Sequence, residues 1–410
     1  MKTHVSLVIA LLLASASGAR AQSGVTLNGV VDAAVRYTTN ANASTSRKQM
    51  VPGGMSHSRL GINVVEDMGG GVTGLVGLEH RFLVDTGVTA NNPAPSPADF
   101  WRLAWVGLQS KDLGQLRLGR QYNILFDLYS TSFASFRHSP YIEQYKPELG
   151  LSLASRQDNM VKYLAQVGDF YVEAQLSAGE GQANATLPNK SAGLMARYND
   201  GIYAAGAAYL QVTEQSGKTI KALVFGASYT DGPFYLHAGW AENRFDNPFT
   251  LLTLTPGGFA ASAGSASNPT AFYGAAMTRL LYTTGLVGNV LNGDANDVKT
   301  RDMLMFGATY QLTGRLNIGA SVWLTRQRHW GTLQNLGPFA AAFGAAPGGY
   351  LTDAAFASKA NFLAAVADYA LSKRTDAYVE VDYTRMTGEV RFANGASRRG
   401  GAMLGLRHRF

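Results

Sequence analysis

Three groups of side chains in this sequence have the residue types from which chemistry is commonly built. The first is Ser56-His57-Ser58, an imidazole between two hydroxyls. Nucleophilic catalysis needs a base within hydrogen-bond reach of the nucleophile, but this triplet matches no nucleophile motif and lies where a strand should start. His4 falls in a leader and His408 on the outward face of the last strand, an interfacial place rather than a ligand's. The second group, Asn292-Gly293-Asp294-Ala295-Asn296-Asp297, offers oxygens of the kind Ca²⁺ takes. It lacks the spacing of a calcium loop and reads as a solvated external loop. The third is the stretch 121–156, which carries Asp127, Glu143 and Glu148 with aromatic residues between them. No glycine-rich phosphate cradle stands between a strand and a helix. The reading is therefore of no catalytic residue, no metal and no cofactor, with charge acting through its field.

The stretch 121–156 lies between two segments that read as strands, and it is too long and irregular for a hairpin turn. The elements around it decide what it does. Residues 1–21 have the three parts of an export signal: Lys2 and His4, an apolar run over 5–14, and a small-residue cleavage pattern at Ala19-Arg20-Ala21. The apolar run is too short to span a bilayer, which takes about 20 residues. The mature chain is expected at 22–410 as one unit, since no Pro-, Ser- or charge-rich linker divides it. It contains no cysteine, so the fold closes without disulfides. The net charge of +7 includes Lys2 and Arg20 of the leader, and so modest an excess does not point to nucleic acid.

From Val25 onward the sequence alternates. Val25, Leu27, Val31, Ala33, Val35 and Tyr37 share one face; Thr26, Asn28, Asp32 and Arg36 share the other. Period-two alternation is the strand signature. It recurs in about sixteen segments, most of the ~9–11 residues that cross a bilayer obliquely. Short turns such as Asn199-Asp200-Gly201 and Ser372-Lys373-Arg374 alternate with long connections such as 246–299 and 331–359. Aromatic residues gather near strand ends, among them Tyr163, Phe170, Tyr198, Tyr203, Tyr229 and Phe234. Outer-membrane barrels have short periplasmic turns, long external loops and aromatic girdles. The fold class is all-β: a transmembrane antiparallel β-barrel of about sixteen strands, with 121–156 folded inward as a constriction loop. Mid-strand arginines should face inward, because an arginine in lipid at the midplane costs about 2–4 kcal/mol. Arg59 and Arg102 are such residues, with Arg102 alternating with the outward candidates Trp101, Leu103 and Trp105. Arg36, Arg81 and Arg117 stand nearer strand ends, where long basic side chains also reach headgroups.

Several stretches resemble one family: VTLNGVVDAAV, SRLGINVVEDMGGGVTGLVGLE, RLAWVGL, LGQLRLGRQY, YALSKRT and the terminal GLRHRF. Spread over nearly all of residues 22–410, they are similar to the trimeric general diffusion porins of Gram-negative outer membranes, the β-proteobacterial branch above all. The resemblance implies a sixteen-stranded barrel whose third external loop bends into the lumen opposite a wall of arginines. It implies that Arg59, Arg102 and Arg156 are the wall arginines and Glu79 an inward glutamate of the third strand. It places Glu148 of PELGL where the family has the glutamate of PEFGG, and Gln144 where a second loop acid is common. The pore-constriction set is thus Arg59, Arg102, Arg156, Glu148, Glu79, Asp127, Glu143 and Arg36.

The resemblance implies passive diffusion of small hydrophilic solutes and ions through water, without enzymatic activity, with Gln144 in place of an acid hinting at anion preference. It implies a homotrimer in contact with outer-membrane lipids and lipopolysaccharide, and small outward residues such as Gly29 and Ala33 are compatible with close packing. The alternative is a substrate-specific channel with a binding site built by 246–299 and 331–359. A hydrolase using His57 is a more distant alternative.

Overall fold

The computed structural model describes residues 23–40, 46–89, 101–134, 156–179, 190–213, 219–245, 299–328, 358–388 and 396–410. The alternating segments become strands β1 (Gly24–Thr39), β2 (Ser46–Val51), β3 (Arg59–Gly69), β4 (Val72–Arg81), β5 (Trp101–Ser110) and β6 (Gly114–Tyr122). A helix, α1 (Ile124–Ser132), follows, then β7 (Arg156–Val167), β8 (Phe170–Ser177), β9 (Lys190–Asn199), β10 (Tyr203–Thr213) and β11 (Thr219–Asp231). The chain continues through β12 (Phe234–Phe245), β13 (Lys299–Gln311), β14 (Leu316–Arg328), β15 (Ser358–Ala370), β16 (Thr375–Gly388) and β17 (Arg398–Arg409).

From β3 onward each strand pairs antiparallel with the next, and β17 returns to β1, with Val30 opposite Arg409 and Thr38 opposite Gly401. On its other side β1 pairs twice: Val30 faces Arg59 of β3, and Ala34 faces Val51 of β2. β2 and β3 are therefore two halves of one stave, and seventeen strands make a closed barrel of sixteen staves. Closure is completed at the last residue. Gly29 N–H donates to Phe410 O (3.0 Å) and Phe410 N–H to Gly29 O (3.1 Å). The Phe410 ring lies over Gly29, where an added Cβ would collide with it. Gly29 is thus covered by its own chain and offers no packing surface to a neighbour, contrary to the sequence reading.

The outer wall is apolar. On β11, Ile220, Ala222 and Val224 are buried inside while Leu223 and Phe225 stand exposed outside. Leu236, Leu304, Phe306, Leu363, Val381, Leu404 and Leu406 continue that exposed belt. An apolar surface of this extent belongs in contact with lipid. A closed barrel is one of the few structures whose backbone polar groups are all satisfied there.

At one rim the strands are joined by tight turns, and aromatic pairs sit across strands beside them. Phe170 meets Tyr198 (5.2 Å between centroids), Tyr203 meets Tyr229 (5.2 Å), and Phe234 meets Tyr310 (4.6 Å). The turns are held by side chains that accept backbone N–H groups, an arrangement these residue types favour. Asp200 Oδ1 accepts from Tyr203 (2.7 Å) and Ile202 (2.9 Å), and those bonds hold its carboxyl below the usual aspartate value. Thr313 and Ser372 do the same with their hydroxyls.

Candidate functional site

The first part of the inward stretch forms α1, against the inner wall. Asn123 caps it: its Oδ1 accepts the Phe126 N–H (3.0 Å), satisfying one of the first-turn donors. The Ile124 N–H donates to Gln175 Oε1 on β8 (2.8 Å). The helix lies close to the wall because the wall has glycines where it passes. An added Cβ at Gly193 would come within 2.5 Å of Ile124, at Gly206 within 2.6 Å of Leu128, and at Gly226 within 2.6 Å of Phe133. Gly206, Gly226 and Gly239 are lateral partners on β10, β11 and β12, so they form a track without side chains. Tyr129 packs on Trp323 of β14, three strands further along the wall (5.8 Å between ring centroids).

Asp127, expected as a loop acid facing arginines, instead pairs with Lys162 of β7. The Lys162 ammonium also donates to Tyr122 O (2.7 Å) and lies 3.3 Å from Glu173 Oε2. It is almost fully buried. Lys162 thus pins the helix to β6, β7 and β8, a role not assigned from sequence. Its only advance signal was a cation at an inward position of an alternating strand.

Above this, Glu79 of β4 meets two guanidinium groups, Arg59 Nε at 3.4 Å and Arg102 Nη1 at 3.1 Å. Arg81 and Arg156 stand within the field of both Arg102 and Glu79, and Arg120 lies near Arg156 and pairs with Asp158. Of the expected set, the structure brings together Glu79, Arg59, Arg102 and Arg156. Arg156 opens β7, opposite Tyr122. Arg81 and Arg120 join the cluster without having been assigned to it. Glu143 and Glu148 lie outside the described residues, as do 135–155 generally, the loops 246–298 and 329–357, and Asn292 to Asp297.

Three placements correct the sequence reading. The pairing of β4 with β5 shifts between Glu79 and His80, from Leu103 to Trp101, so Arg102 is the extra residue of a bulge. Bulges re-aim side chains. Here Arg102 turns inward while Leu103 and Trp105 also face the lumen, beside a cavity of about 170 Å³ shared with Glu79, Arg117, Tyr122 and Asp127. The Arg117 guanidinium lies 4.4 Å over the Trp105 ring, so it is held at the wall and not at the headgroups. Arg36 does not join the cluster. It is buried between β1 and β16, paired with Asp382 and 3.9 Å from Glu380, which leaves it neutralised and away from lumenal water.

A family model for Gram-negative porins matches residues 7–329. The chain belongs to this family. Outer membrane porin protein 32 of Delftia acidovorans is 36% identical over 143 residues, 32% of this chain and 39% of that protein. An outer membrane porin protein of Bordetella pertussis is 34% identical over 172 residues, 38% of this chain and 43% of that one. The matched stretches therefore span less than half the length of these two relatives. Among solved structures, an anion-selective porin from Comamonas acidovorans superposes with a TM-score of 0.65 at 21% identity, covering 95% of this chain and 100% of that one. OmpT of Vibrio cholerae in its trimer form gives 0.58 at 13% identity, covering 95% and 99%. At such identities the likeness is one of fold. This porin is an outer-membrane β-barrel.

Proposed function

We propose that this porin is a passive diffusion channel for small hydrophilic solutes and ions, with a preference for anions. The observation that carries the reading is the gathering of Arg59, Arg81, Arg102 and Arg156 around Glu79 inside a closed barrel, with Arg120 beside Arg156 and paired with Asp158. Clusters of charged side chains set ion preference where a pore is narrow. Asp127 is turned away from the arginines and held on Lys162. The constriction set is accordingly read as Arg59, Arg102, Arg156 and Glu79, joined by Arg81 and Arg120, with α1 narrowing the lumen from the adjoining wall. No reacting group is needed, and the family and fold are those of channels.

Residues 1–21 are read as the export signal and 22–410 as the barrel. Assembly as a homotrimer is supported by the fold shared with the trimer form of OmpT. The proposal is tested by liposome swelling with neutral sugars of rising size. Uptake should fall smoothly with size and rise linearly with concentration. Saturation with one sugar would favour the substrate-specific reading instead.

A further inference from the structure

Between β2 and β3 the stave is broken by residues 52–58, which leave the wall after Val51 and rejoin it at Arg59. On β1 only Val31, Asp32 and Ala33 lie opposite this break. The surplus backbone folds inward, and the Asp32 carboxylate gathers it. Asp32 Oδ1 accepts the Gly54 N–H (3.0 Å), and Oδ2 accepts those of Met55 (3.1 Å) and Ser56 (2.7 Å). The Tyr378 hydroxyl donates to Oδ1, and Arg407 Nη1 donates to Ser56 Oγ (3.0 Å). Ser58 Oγ accepts the Asp32 N–H (2.9 Å) and donates to Asp32 O (3.1 Å). Gly53 turns the chain at φ +110°, a conformation other residues rarely adopt.

A segment tied down this firmly holds its end in a fixed place, and that end is His57. Its carbonyl oxygen accepts from Arg59 Nη1 (3.1 Å), and its Nδ1 is in contact with Arg81 Nη2. A guanidinium only donates, so Nδ1 is the acceptor. Glu79 orients Arg59 and Arg102 but cancels part of their charge. His57 orients Arg59 and Arg81 through a carbonyl and a ring nitrogen, neither of which carries negative charge.

We propose that residues 52–58 are a second lumenal element rooted on Asp32, and that His57 is the positioning residue that holds Arg59 and Arg81 and so sets the strength of anion preference. The inference rests on the channel reading above. Its test is the reversal potential of the folded full-length protein in planar bilayers under a KCl gradient. His57→Leu should lower the anion-to-cation permeability ratio about two- to fivefold, as loss of a hydrogen bond of modest net strength would. His57→Asn, whose Oδ1 can take the place of Nδ1, should keep the wild-type ratio. Arg81→Gln should lower the ratio as His57→Leu does, and the double variant no further, as for residues acting through one contact.

An unchanged ratio in His57→Leu, or the same fall in His57→Asn, overturns the inference while the channel reading stands. An unchanged ratio in Arg81→Gln overturns it too, which keeps it testable if leucine at position 57 prevents folding. Wild-type protein that carries no current overturns both.

Discussion

Glu79 meets two guanidinium groups directly and stands in the field of two more. Removing its charge alone should strengthen the preference for anions. Glu79→Gln is expected to raise the anion-to-cation permeability ratio about three- to fivefold, since a unit charge about 4 Å away across water is worth about 1 kcal/mol. Bi-ionic potentials measure this directly. Lys162 has the opposite place, a buried cation between Asp127 and Glu173. Lys162→Met strands both carboxylates, and losing one partner of a buried pair costs about 3–5 kcal/mol. Loosening of α1 should appear as noisier open-channel current and a lower unfolding temperature. At this scale the sequence was partly readable. Arg59 could be placed by parity because β3 pairs regularly from that residue to Asp67. Arg102 could be placed inside, but its neighbours Leu103 and Trp105 were put on the wrong face, because the bulge breaks parity. Arg36 has the same alternation as a pore-lining residue, and only the acids opposite it on β16 show that its charge is already neutralised.

At the scale of elements, α1 depends on the glycine track as much as on its own sequence. Gly226→Val should drive Phe133 off the wall, and overpacking of this kind costs about 1–3 kcal/mol. Single-channel conductance should change while the barrel still folds; an unchanged conductance would mean that α1 does not narrow the path. The strands were legible because each must show one face to lipid, and this writes a period of two into the sequence. The helix was not, since Ile124, Leu125 and Leu128 serve a wall that only the folded barrel assembles. Asn123, a good capping residue just before that apolar group, was the available signal. The break between β2 and β3 was hidden for a similar reason: what holds residues 52–58 is Asp32, on the preceding stave.

For the whole molecule, the barrel exchanges the usual arrangement of apolar and polar faces. Leu223 points outward and Val224, its neighbour, inward. Leu223→Arg should therefore destabilise the barrel by about 2–4 kcal/mol if it lies near the midplane, measurable by urea unfolding in lipid vesicles. In the proposed account, the closed sheet gives the lumen a fixed width, the glycine track lets one helix narrow it, and the arginines act on what passes. The most direct test of that account is the reversal potential of purified protein in a planar bilayer under a steep KCl gradient. The account predicts a potential of the sign given by chloride carrying most of the current, reduced in Arg102→Ala. A potential of the opposite sign, or one indifferent to Arg102, would contradict it.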